Sequence, residues 1–363
     1  MSDGARPAAV EATRLADFVA RLFAAAGVPP AAAGTVAEAL VDADLEGLTS
    51  HGVMLTDLYI ERLKKGSVSR ETAATIVSER QGAVVLDAAN ALGQLTGDQA
   101  MALAVDKARQ FAAGIVAVRH GFHFGAGRRY ALQAAEAGCV GIAMCNTRPL
   151  MPAPGGAERV VGNNPIAIAL PADGDIPIVL DMATSEAAMG KIRMAEKAKE
   201  PIPPTWAVTA EGLPTTNPAD AIAGMLLPSG GPKGFGLAFM IDLMCGLFSE
   251  GATGAAVRPL YGDFSIAYDC SHLFIAIDIA HFCDLDGFRR SAAAAAERIR
   301  AGKRAPGTAA LFSPGEIEWR RAQRAGGRLQ IEPAVVAMLT RYAREFGIDD
   351  TPFQDRMQDT HHG

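Results

Sequence analysis

A change of hydrophobic period near residue 80 constrains this chain more than any other feature. Before it, apolar residues recur every three or four positions. Val10, Leu15, Phe18, Val19 and Leu22 form one stripe, Val36, Leu40, Val41 and Leu45 a second, and Leu55, Leu58, Tyr59 and Leu63 a third. Three helices are expected over residues 9–65, separated at Gly27, Pro29 and Pro30. The third should stop at Gly66, with Lys64 and Lys65 complementing its C-terminal dipole. Beyond residue 80 the apolar residues fall in short runs, AVVLDA, GIVAV, VGIAMC, NPIAIALP and IPIVLDM, several of them separated by alanine-rich stretches. A helix over about 237–248 and a strand HLFIAIDI follow, and helices return from Asp286. The expectation is an α/β body flanked by helical segments from both chain ends, with the last dozen residues, ending in DTHHG, frayed.

Composition limits the function classes. A chain of 363 residues, 49% hydrophobic and 20% charged, can bury one large core or two to three modest ones. A net charge of −6 without a long run of like charges argues against a nucleic-acid partner. No apolar run is long enough for a membrane span, and the N-terminus lacks a basic start followed by an apolar stretch, so a cytoplasmic location is expected. Five cysteines without CxxC spacing fit reduced, buried thiols better than disulfides or a zinc site, and no metal is expected.

The usual signature of a pyridine-nucleotide enzyme, GxGxxG after a first strand, is missing; the nearest run, from Gly125 to Tyr130, puts tyrosine where the third glycine belongs. No GxxxxGK[ST] loop exists either. What remains is five polar clusters, each with a plain structural reading beside a chemical one. Ser50 and His51 suit a helix N-cap or a hydroxyl-oriented imidazole able to give a proton to a developing alkoxide. His123, Phe124, Gly125, Ala126 and Gly127 suit a turn or a backbone that lets a ligand approach. Asn163 and Asn164 join a segment from Asp181 to Ser185 beyond the end of a strand, where ligands of α/β sheets gather. Lys233 stands among Gly230, Gly231, Gly234 and Gly236, a mobile loop or a phosphate-reaching lysine. Pro314, Gly315 and Glu316 read alone as a turn.

In this order and spacing, SHGV, HFG, GNNPIA, LDMATS, PTTNP, LPSGGPKGFGL, HLFIAID and PGE resemble the second malate/L-lactate dehydrogenase family, over nearly the whole chain. The resemblance implies a non-Rossmann, mixed-sheet nucleotide-binding domain over 76–284, with a small inserted subdomain. It also implies a helical dimerisation domain built from 1–75 with 285–363, in a homodimer whose sites lie between subunits. It makes His51 the proton donor and Ser50 its orienting partner. His123, Phe124, Gly125, Asp181, Met182, Ala183, Lys233, Gly315 and Glu316 would line NAD or NADP, and Asn163 and position 55 would face the substrate. The implied reaction is hydride transfer between the nucleotide and a small 2-oxo or 2-hydroxy acid. The alternatives are reduction of a cyclic imino acid C=N bond and a catalytically silent nucleotide-binding relative.

Three positions depart from the family pattern. Leu55 stands where many relatives carry a carboxylate-holding arginine, so another cation, Arg128, Arg129, Arg148 or Lys191, is expected to take its role, or else the substrate differs. Pro232 replaces a common histidine, and Lys191 stands where the cyclic-imine branch has an acidic residue.

Overall fold

The structure, a computed structural model, describes residues 7–349 and 351–353; the DTHHG tail lies outside the described residues. A short strand β1 (Ala8–Glu11) leads into α1 (Ala12–Ala25), α2 (Pro30–Leu45) and α3 (Thr56–Lys65). Pro30 opens α2, where its missing N–H is not needed, and does not separate helices. Gly66 closes α3 in the left-handed region at φ 79°. Two short 3-10 turns, Thr49–His51 and Val53–Leu55, lie between α2 and α3 and carry the SHGV motif.

Then come β2 (Thr75–Arg80), β3 (Ala83–Asp87), α4 (Gly93–Phe111), β4 (Ala113–Gly121), α5 (Arg128–Glu136), β5 (Cys139–Cys145), β6 (Ile166–Leu170) and β7 (Ile178–Met182). A smaller set follows: α6 (Met189–Ala198), β8 (Ala207–Val208), α7 (Pro218–Ala223) and β9 (Met225–Leu226). The long helix α8 (Pro232–Ser249) precedes β10 (Cys270–Asp278), α9 (Leu285–Arg300), α10 (Glu316–Ala325), β11 (Arg328–Ile331) and α11 (Pro333–Glu345).

Seven strands form one mixed sheet in the order β2-β3-β4-β10-β5-β6-β7. Only β3 and β4 run parallel, because α4 crosses between them; the other neighbours are antiparallel. Alternation along the strands divides the two faces. Val116, Val118, Phe274 and Ala276 pack in a core with residues of α4 and α5, whereas the intervening Ala117, Leu273 and Met144 pack on Ile241 and Cys245 of α8. The elements α6, α7, β8 and β9 close a separate small core around Met151, Ile192, Ala207 and Leu226.

The two chain ends meet: β1 pairs antiparallel with β11, Val10 opposite Leu329. The helical stripes of α1 to α3 share one core with Leu329, Ile331, Leu339 and Tyr342. Phe18, Leu22 and Leu40 are therefore buried within the chain and need no second subunit to cover them. Large exposed apolar side chains lie instead on α8, where Met240, Leu247 and Phe248 are 54%, 61% and 56% exposed. Among the described residues no helix is long and apolar enough to cross a membrane.

Candidate active site

The 3-10 turn that carries His51 is held from below by Asp44, near the end of α2. The Asp44 carboxylate accepts the Val53 N–H at 2.8 Å and lies over Gly52, where an added Cβ would come within 2.0 Å of Oδ1. Glycine is required there by this close approach. Burial raises the Asp44 carboxyl to about 7, although the Val53 bond opposes the rise.

Above this brace, Ser50 Oγ lies 3.0 Å from His51 Nδ1. With the hydroxyl accepting from Nδ1–H, Nε2 is the nitrogen free to carry or release a proton. His51 stacks on His123, ring centroids 5.6 Å apart and planes 20° apart, so the imidazoles of the first two motifs share one site. His123 is oriented in turn by Tyr59 of α3, whose hydroxyl is 2.7 Å from Nδ1. The Gln94 amide of α4 donates to that hydroxyl at 3.0 Å, which leaves the phenolic proton for His123. Burial lowers the pKa of both histidines, His123 to about 3 with the neighbouring His51 and His272 adding to the effect. Both rings are neutral at neutral pH. Tyr59 and Gln94 were not among the residues expected from sequence; Tyr59 reads there as one member of an apolar stripe, and nothing local reveals the use of its hydroxyl.

The expected cofactor residues gather in two places. Phe124 is buried and stacks on His272 at 4.7 Å, so its ring packs while its carbonyl accepts from Tyr130. Gly125, at φ 80°, keeps the turn beyond it open beside Gln94. The Asp181 carboxylate accepts the Arg128 N–H at 2.9 Å, fastening the end of β7 to the start of α5. One face of Asp181 remains exposed, yet the surrounding protein desolvates its carboxyl and raises its pKa to about 6. Gly315, at φ 85°, packs against Val179, whose N–H donates to the Pro314 carbonyl at 3.1 Å. The HFG, LDMA and PGE segments thus converge on β7. Glu316 is fully buried and its carboxylate is engaged by Ser313, Arg300 and Arg320. These bonds outweigh the upward push of burial and hold its pKa below the usual value. These contacts hold the Pro314–Gly315 turn in shape.

The second gathering place lies beyond β7. Thr184 N–H donates to the Asn163 carbonyl at 3.0 Å and Ser229 N–H to the Thr184 carbonyl at 2.9 Å, which joins the GNNP, LDMATS and SGGPKG loops. Met182 and Ala183 are half-buried at this junction. Asn163 accepts from the Thr147 hydroxyl at 3.0 Å. Gly230 and Gly231 have positive φ and open space where a side chain would stand, and Lys233 is exposed in the first turn of α8. The Thr184 hydroxyl is buried without a partner among the described residues. A helix N-terminus, a lysine, an open glycine pair and an unpartnered hydroxyl suit an anionic, phosphate-bearing ligand. A nicotinamide dinucleotide fits this donor set.

Leu55 stands apart from these groups. It is 2% exposed and belongs to the helical core.

The site thus combines a stacked pair of histidines with loops suited to a phosphate-bearing ligand. The malate/L-lactate dehydrogenase family matches this chain over residues 10–340, and the chain belongs to that family. It is similar to the malate dehydrogenase of Pyrococcus horikoshii, 37% identical over 311 residues, 84% of this chain and 85% of that one. It also resembles the solved sulfolactate dehydrogenase of Methanocaldococcus jannaschii, with TM-score 0.88 and 35% identity over 94% of this chain and 98% of the other. The delta1-piperideine-2-carboxylate reductase of Pseudomonas syringae is a further structural relative, with TM-score 0.82 and 28% identity over 92% and 99% of the two chains. The chain is accordingly an NAD(P)-dependent 2-hydroxy acid dehydrogenase.

Proposed function

We propose that His51 is the proton donor in the reduction of a small 2-oxo acid and the proton acceptor in the reverse reaction. The observation that carries this is the hydroxyl-oriented His51 ring stacked on His123. Ser50 accepts from Nδ1–H, so that the protonated ring gives its Nε2 proton to the substrate oxygen and the neutral ring takes it back at Nε2, and His123, held by Tyr59, forms the wall against which His51 is kept in place. His123, Gly125, Asp181, Met182, Ala183, Lys233 and Gly315 would hold NAD or NADP. When bound, its nicotinamide supplies the hydride. Asn163, tied to Thr147, would stand beside the substrate.

The nucleotide would lie on a mixed sheet, outside the doubly wound parallel arrangement of Rossmann proteins. The exposed apolar residues of α8 support a homodimer, and four buried, unpaired cysteines support a reducing, cytoplasmic setting. The test is turnover of NADH and NADPH against pyruvate, oxaloacetate, bulkier 2-oxo acids and cyclic imines. His51→Ala should lower turnover by about 10² to 10⁴-fold and leave nucleotide affinity nearly unchanged. Undiminished turnover would remove His51 from the mechanism. A cyclic imine reduced in preference to every 2-oxo acid would favour the C=N reading.

A further inference from the structure

A 2-oxo acid is an anion, and its carboxylate needs a fixed cation to keep the carbonyl in register. Leu55 offers no charge. Two of the cations near the site are already engaged. Arg128 is 3% exposed and lies 3.3 Å from Glu46 and 3.6 Å from Glu318. Arg129 forms two bonds to Asp98, at 3.0 and 2.8 Å.

Arg148 differs from both. The backbone around it is clamped: Thr147 N–H donates to Asn164 Oδ1 at 2.8 Å, and Leu150 N–H donates to the Val161 carbonyl at 2.9 Å. Two residues before it, Asn146 is held by the Ser271 N–H and the Ala252 carbonyl. Its guanidinium, by contrast, has no hydrogen bond or ion pair among the described residues, although the residue is half-buried. Its electrostatic neighbours are other cations. Burial, Arg159 and Arg193 all lower its proton affinity, and only the Tyr268 hydroxyl opposes them. Arg159 is occupied by the carbonyls of Ala223 and Gly224, which leaves Arg148 and Arg193 with unspent donors. Arg193 projects from α6, and Lys191, two residues away, lies on the other side of that helix.

The Arg148 segment borders the histidine site, because Asn146 is bonded to Ser271, three residues beyond Tyr268. Tyr268 packs edge-on against Phe122, the residue before His123, with centroids 6.2 Å apart. Tyr261 lies within electrostatic reach of both Arg193 and Tyr59. A half-buried guanidinium on a rigid backbone, next to a second cation and without an acidic partner, is a site whose counter-ion has to come from outside the chain.

We propose that Arg148 anchors the substrate carboxylate in this chain, with Arg193 as the second cation of the same site, so that acids with two negative groups are preferred over those with one. This rests on the reading of the chain as a 2-oxo acid reductase, and the experiment separates the two ideas. Malonate, a dicarboxylate with no carbonyl to reduce, is titrated calorimetrically into the full-length protein with NADH present. Arg148→Ala should weaken malonate at least about tenfold, Arg148→Lys less, and the exposed Arg324→Ala not at all. In turnover, Arg148→Ala should raise the KM for oxaloacetate at least about tenfold without changing the KM for the nucleotide. Arg193→Ala should narrow the preference for oxaloacetate over pyruvate. Because the Arg148 guanidinium has no protein partner to lose, the melting temperature should not fall. Equal malonate affinity in wild type and Arg148→Ala, or none in either, overturns the anchor while leaving the dehydrogenase reading intact if wild type turns over. A wild type inert toward every acid with both nucleotides defeats the activity reading, and the malonate titration then decides the anchor alone.

Discussion

At His123 the proton's position is set by two buried residues, Tyr59 and Gln94. Gln94 donates to Tyr59, and Tyr59 is left to donate to the ring. Tyr59→Phe removes the link, leaves a buried amide without its acceptor, and should cost about 1–3 kcal/mol in chemical denaturation. Turnover should fall less than in His51→Ala. Burial holds the His51 pKa below its ordinary 6.5, and the sign of the pH dependence follows from its proposed role as donor. Reduction needs a proton on the donor, so its kcat/KM should decline as pH rises through that lowered pKa, and oxidation should decline as pH falls through it. His51→Ala should flatten both profiles; a profile unchanged in the variant would assign the titration elsewhere. Leu55 responds differently. Arginine in its place would put an unpaired charge into the helical core, so Leu55→Arg should lose stability by several kcal/mol, read as a lower denaturation midpoint, without gaining activity toward any acid.

The turn between α2 and α3 works as one unit with Asp44. Gly52→Ala drives a methyl group into the Asp44 carboxylate and should destabilise the fold by about 1–3 kcal/mol and displace His51. Adding Asp44→Ala removes the obstacle, so the double variant should be less destabilised than the sum of the singles. Denaturation midpoints of all three variants check this; strict additivity would show that the two residues do not meet. Elements of this kind differ in how far local sequence reveals them. The stripes of α1 to α3 and the runs that became β3 to β7, α8 and β10 were legible because each buries one face at a fixed period. β1, β2 and β11 were not. β2 is largely exposed at the sheet edge and carries Glu79 and Arg80, and β1 and β11 are four-residue strands defined only by each other. At the proposed site, the motifs point to His51, His123, Asp181 and Lys233, whereas Tyr59, Gln94 and Asp44 act through contacts that sequence order does not display.

Over the whole molecule, α8 links the sheet to the outside. Its Ile241 and Cys245 pack beneath the sheet while Met240, Leu247 and Phe248 face outward. A dimer through this face should sediment as such at micromolar concentration, and Leu247→Glu with Phe248→Glu should yield monomers. A monomeric wild type would contradict the assignment. The joining of the chain ends sets a different condition, one of timing. During synthesis α1 to α3 are made first, yet their shared core is completed by Leu329, Ile331, Leu339 and Tyr342, and β1 has no partner until β11 is made. The first helices must therefore wait, apolar faces uncovered, while the sheet folds between them and the ribosome. The nascent chain should be most dependent on chaperones in that interval, and His51 should reach its working position only after β11 and α11 have emerged.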